Sequence, residues 1–100
     1  GLMIKHIVMF YFTDRVNDEN REEVTALISG SVRRMASADI KGLIRMEPVR
    51  NMAEGMPDIG LYCEFDSMDD LNAYQTHPEH ERHKALAKDY CRDRIVIDWE

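Results

Sequence analysis

The chain has 100 residues, 44% apolar and 32% charged, with a formal net charge of −6. A chain of that length makes one domain over residues 1–100, small enough that a partner's surface would matter to its stability. The composition excludes disorder and the acidic balance argues against a general nucleic-acid binder, while no apolar run nears the roughly 20 residues that span a membrane.

The stretch from Met3 to Phe12 is rich in β-branched and aromatic residues and predicts a strand. Both of its alternating faces are substantially apolar, so each side of the sheet needs a cover. Helices supply one cover, and a second copy of the chain is expected to supply the other. The run also continues as strand without a small-residue cleavage site, so no signal peptide and a cytoplasmic location are expected. A polar loop follows, with Asn17 or Asp18 placed to cap an amphipathic helix. Val24, Leu27, Ile28, Ser31, Val32, Met35 and Ala36 recur at helical spacing, and Asp39 to Gly42 ends the run.

Leu43 to Arg50 predicts a second strand, with Pro48 favouring an edge position or a bulge. The turn-rich Asn51–Asp58 segment joins it to a third strand from Ile59 to Asp66. Ser67-Met68-Asp69-Asp70 has the form of a capping box and opens a short helix burying Leu71 and Tyr74. That helix stops before Pro78, which suits the first position of a new helix running to about Tyr90. Arg94 to Trp99 closes the chain as a fourth strand. Cys63 and Cys91 lack metal-type spacing and suit free thiols in a reducing compartment.

The order βαββαβ, with its second helical element broken at Pro78, predicts an α+β ferredoxin-like sandwich: a four-stranded antiparallel sheet with helices on one face. The opening Met3-Ile4-Lys5-His6-Ile7-Val8-Met9-Phe10, the Glu64-Phe65-Asp66-Ser67 strand exit, Tyr74 ahead of His77-Pro78-Glu79-His80, and the closing Asp93-Arg94-Ile95-Val96-Ile97-Asp98-Trp99 resemble the stress-responsive dimeric α/β-barrel family over essentially the whole chain. The resemblance implies a homodimer in which two sheets face each other as a barrel. Most members of the family have no assigned reaction. One branch comprises cofactor-free polyketide cyclases, in which a tyrosine before the His-Pro motif and the histidine after it carry the chemistry. Those positions match Tyr74 and His80, and the histidine of the first strand matches His6.

Three histidines, His77, His80 and His83, lie within seven residues of one another, and His6 stands on the first strand. Two functions fit. One is a pocket between sheet and helices for a small apolar or aromatic molecule, with no cofactor. The other is proton removal next to a carbonyl, with His80 as base, Tyr74 as donor to the developing oxyanion and His6 as orienter or pocket wall. A purely structural role is the third possibility: His80 and Tyr74 bond the backbone freed at Pro78, while His6 fills the seam. Val24, Thr25 and Ile28 are the first-helix positions expected nearest the pocket. Metal binding by the histidine cluster is not expected, because His77 falls before the helix and His83 is expected at the surface or partly buried beside Arg82 and Lys84. The sequence therefore implies a homodimer that takes neither nucleic acid nor membrane as a partner.

Overall fold

Strand β1, Ile4–Phe12, lies inside a four-stranded sheet in the computed structural model, which describes residues 2–100. The sheet order is β2-β3-β1-β4, where β2 is Leu43–Arg50, β3 is Ile59–Phe65 and β4 is Cys91–Trp99, and every pairing is antiparallel. Helices α1 (Arg21–Ala36), α2 (Met68–Tyr74) and α3 (Pro78–Ala87) complete the βαββαβ order of a ferredoxin-like fold. Pro48, which has no N–H to donate, sits on the edge strand β2.

The two faces of β1 have different fates. His6, Val8 and Phe12 are buried beneath the helices, whereas Ile7, Met9 and Tyr11 on the other face are only half-buried. That second face continues through Tyr62 on β3 and Ile95, Ile97 and Trp99 on β4, and the last three are 36%, 54% and 40% exposed. A contiguous apolar stripe left open on a sheet marks an interaction surface.

On the covered face, Val32, Met35, Cys63, Phe65, Leu71 and Tyr74 form the main core, and a second cluster joins Phe12, Val24, Ile28 and Ile59. Gly60 is needed where β3 meets β1, since a Cβ there would lie 2.2 Å from the Val8 carbonyl oxygen.

Three local expectations change. First, α1 begins at Arg21: the Asn17 side chain accepts from the backbone N–H groups of Glu19 (2.9 Å) and Asn20 (3.1 Å), closing a turn ahead of the helix. Second, Leu27 and Ala36 are exposed, because the buried stripe runs Val24, Ile28, Val32, Met35 and Leu27 lies about 100° around the helix from Ile28. Third, α3 stops at Ala87 and β4 starts at Cys91, earlier than the apolar run suggests. The Thr13 amide donates to the Tyr90 carbonyl (2.9 Å) and Cys91 pairs with Phe12, which draws this polar segment into the sheet.

β4 then contains a bulge. Tyr11 pairs with Arg92 and Met9 with Ile95, so Asp93 and Arg94 together oppose Phe10. Asp93 takes the extra step at a φ of 55°, a left-handed conformation that aspartate tolerates better than most residues. The bulge shifts the alternation, so that Cys91 faces the helices before it and Arg94, Val96 and Asp98 face them after it.

Candidate ligand-binding cavity

The second crossover is broken where the chain needs a corner. Ser67 caps α2 by accepting from the Asp70 amide (3.1 Å), and α2 buries Leu71 and Tyr74 before ending ahead of Pro78. His77 is the N-cap of α3: its Nδ1 accepts from the Glu79 amide at 3.0 Å, and Pro78 fills the first helical position. α3 packs on α1 and stands away from β4. Between α3 and the β1–β4 half of the sheet lies a cavity of about 640 Å³.

Its floor is apolar, formed by Val8, Phe10, Leu61 and Val96, and its wall on the crossover side carries Tyr74, His80 and His83. His6 borders the same space, so the structure brings His6, Tyr74 and His80 to one cavity. Val24, Thr25 and Ile28 do not line it, because α1 lies against β2 and packs its apolar stripe on β3, while the opening is under α3.

His80 is stacked on Tyr74, with ring centroids 4.4 Å apart and planes tilted by 34°. Its Nδ1 lies 2.9 Å from the Gln75 carbonyl oxygen, which can only accept, so Nδ1 carries the hydrogen and Nε2 the lone pair. His80 thus satisfies a backbone carbonyl at the helix break and still presents a basic nitrogen. Burial holds its pKa below the ordinary histidine value against the pull of the Gln75 bond, and the Lys84 and Arg94 cations add to the fall. The ring is neutral at pH 7 and able to accept a proton.

Tyr74 is 2% exposed, its ring also packs on Phe65 at 5.3 Å, and its hydroxyl points to Met35 Sδ at 3.8 Å. Burial above all raises its pKa, so the phenol keeps its proton. His6 is 2% exposed and its Nδ1 pairs with the Asp98 carboxylate, its neighbour across the β1–β4 ladder. Asp98 was not anticipated. The available signal was an acid inside the apolar run Ile95 to Trp99, on the strand that must lie beside β1 in this topology.

His83 departs furthest from expectation. It is 6% exposed, fully buried rather than at the surface or partly buried, and its Nδ1 lies 2.8 Å from Ser31 Oγ on α1. That hydroxyl also accepts from Arg82 (3.1 Å), which leaves its hydrogen to bond the imidazole. Burial first, then the charges of His80 and Arg82, push the His83 pKa down to about 4. In the unfolded chain it titrates near 6.5, so the unfolded state takes up the proton first as the pH falls. The contribution is complete above about pH 6.5 and is lost as the pH falls towards 4. Urea midpoints should therefore drop across that window by the equivalent of roughly 2–3 kcal/mol, and most of the drop should vanish in His83→Gln. An equal drop in the variant would rule His83 out as its source.

The three clustered histidines serve three different partners, and among the described residues no group of three or more His, Cys, Asp or Glu side chains is placed to hold a metal ion. Both cysteines are free thiols. Burial raises Cys63 to about 12 and Cys91, which borders the cavity, to about 11, so neither is a ready nucleophile at neutral pH. No helix among the described residues is long and apolar enough to cross a membrane.

A βαββαβ layer with one open apolar sheet face, and a histidine-lined cavity beneath a broken second crossover, defines a ferredoxin-like α+β protein. The chain belongs to the stress responsive A/B barrel domain family, whose model matches residues 4–100. Among solved structures it is similar to a dimeric protein of unknown function with a ferredoxin-like fold from Bacteroides fragilis, at 32% identity over 98% of this chain and 95% of that one, with a TM-score of 0.85. It is also similar to a dimeric ferredoxin-like protein of unknown function from Thermobifida fusca, at 26% identity over 99% and 91% of the two chains, with a TM-score of 0.74. A Dabb family protein from Mesorhizobium loti shares the fold at 19% identity and a TM-score of 0.65, over 98% and 95% of the chains. A search of curated proteins found no match.

Proposed function

We propose that this barrel-family chain is a homodimer that binds a small apolar or aromatic molecule in the cavity between sheet and α3, one site per subunit. The cavity carries the reading: about 640 Å³ bounded by apolar residues and a few oriented polar groups is the usual form of a small-molecule site. The open stripe of Ile95, Ile97 and Trp99 supports the dimer, as do the dimeric relatives at 32% and 26% identity. The free thiols of Cys63 and Cys91 suit the cytoplasm.

A thermal-shift screen of aromatic and apolar compounds tests this. A ligand at 100 times its Kd stabilises by about 2.7 kcal/mol, which moves the Tm of a domain this size by about 10 °C. The shift should be reduced in His80→Ala and abolished when Ala87→Phe fills the cavity. No shift across the panel, or an undiminished shift in the filled variant, would end the reading.

One observation favours a second reading, a cofactor-free lyase or isomerase of the cyclase kind. His80 is a neutral imidazole, held through Nδ1, with Nε2 free of protein partners among the described residues. In this reading Nε2 removes a proton next to a carbonyl. Tyr74 supplies the donor to the enolate oxygen once its hydroxyl turns from Met35 Sδ towards the cavity, and the Asp98-oriented His6 forms the opposite wall. The measurement is uptake of solvent deuterium at the α-carbon of a bound β-keto compound, expected in wild type and lost in His80→Ala. Exchange at the uncatalysed rate in wild type would sink it.

A further inference from the structure

The cavity has an apolar floor, but its border does not share the charge of the chain. Against a net charge of −6, three cations, Lys84, Lys88 and Arg94, border it together with a single carboxylate, Asp98, which is already paired with His6. Lys84 is shared with Glu81 at 2.7 Å. Lys88 and Arg94 have no ion-pair partner among the described residues, although most other arginines of the chain do. Solvated surface cations would be unremarkable if they were scattered. These come from two different elements, β4 and the end of α3, and border one cavity. Arg94 is there because of the bulge: without the extra residue at Asp93, the alternation from Arg92 would turn Arg94 to the opposite face of the sheet.

We infer that the ligand is an apolar organic acid, its hydrocarbon body on Val8, Phe10, Leu61 and Val96 and its single anionic head between Arg94 and Lys88. This deepens the small-molecule reading above and rests on it. An anion at this position gains two charge-assisted contacts, with the planar arginine suited to a two-oxygen head. A neutral compound of the same shape gains the floor alone.

Two dyes that differ by one sulfonate separate the cases: anilinonaphthalene sulfonate, and N-phenylnaphthylamine, which has the same rings and no charge. Affinities would be measured by fluorescence titration of the whole chain, and the site located by the ring resonances of His80. The sulfonate should bind about 10-fold more tightly than the amine, and the advantage should disappear in the doubly substituted Arg94→Gln, Lys88→Gln protein while amine binding is unchanged. Both substitutions are at exposed side chains, so folding should be retained, and circular dichroism checks it. Equal affinities in wild type, or a sulfonate preference that survives both substitutions, overturn the inference and leave the cavity reading standing. Failure of both dyes to perturb His80 overturns the two together.

Discussion

Ile97→Glu should leave the fold intact and turn the proposed dimer into monomers at micromolar concentration. Ile97 pairs with Ile7 across the β1–β4 ladder, at the middle of a stripe that includes Ile95 and Trp99, and in the single subunit it is 54% exposed. On an isolated sheet a glutamate there would be solvated at little cost. In a two-fold interface the same substitution appears twice, and each carboxylate must leave water for an apolar surface, a cost of several kcal/mol per group. Light scattering at about 10 µM reads the mass directly. Leu27→Glu is the control: Leu27 is also exposed, at 44%, but on α1, and exposed substitutions of this kind shift stability by about 0.5 kcal/mol or less. A wild type that is already monomeric, or an Ile97→Glu protein that stays dimeric, would refute the sheet-to-sheet assembly.

Phe65→Ala should cost about 3–5 kcal/mol, a large share of the roughly 5–15 kcal/mol that holds a typical domain together. Phe65 is fully buried at the end of β3 and packs on the Tyr74 ring, which in turn carries His80. Truncation opens a void beneath that stack, so affinity for any compound found to bind the proposed site should fall together with the urea midpoint. An unchanged m-value would show that the loss is one of stability and not of cooperativity. A cost below about 1 kcal/mol would mean that the core collapses around the gap and that the stack does not depend on Phe65.

The fold was legible because its signals are local. A run of β-branched and aromatic residues marked β1, a 3.6-residue stripe marked α1, and Pro78 marked the break that sets Tyr74 and His80 on either side of a corner. What escaped depends on partners distant in the chain. His83 followed by Lys84 reads as surface until Ser31, on another helix, is known to face it. Asp98 becomes the partner of His6 only through the β1–β4 register, and a bulge that composition does not announce sets that register. The direction of the Tyr74 hydroxyl was likewise hidden, since a phenol's orientation is decided by what it packs on, here Met35. The Arg92-Asp93-Arg94 run concealed the start of β4, because its pairing is held by backbone bonds and not by apolar side chains.

The bulge at Asp93 has a consequence for how this chain can vary. Beyond it, the odd-numbered residues Ile95, Ile97 and Trp99 face the open stripe, and the even-numbered Arg94, Val96 and Asp98 face the cavity. One short strand thus writes two messages in alternate letters, one on the open face of the sheet and the other on the cavity. Either set of letters can be respelled while the other is kept, so the open face and the cavity can change independently.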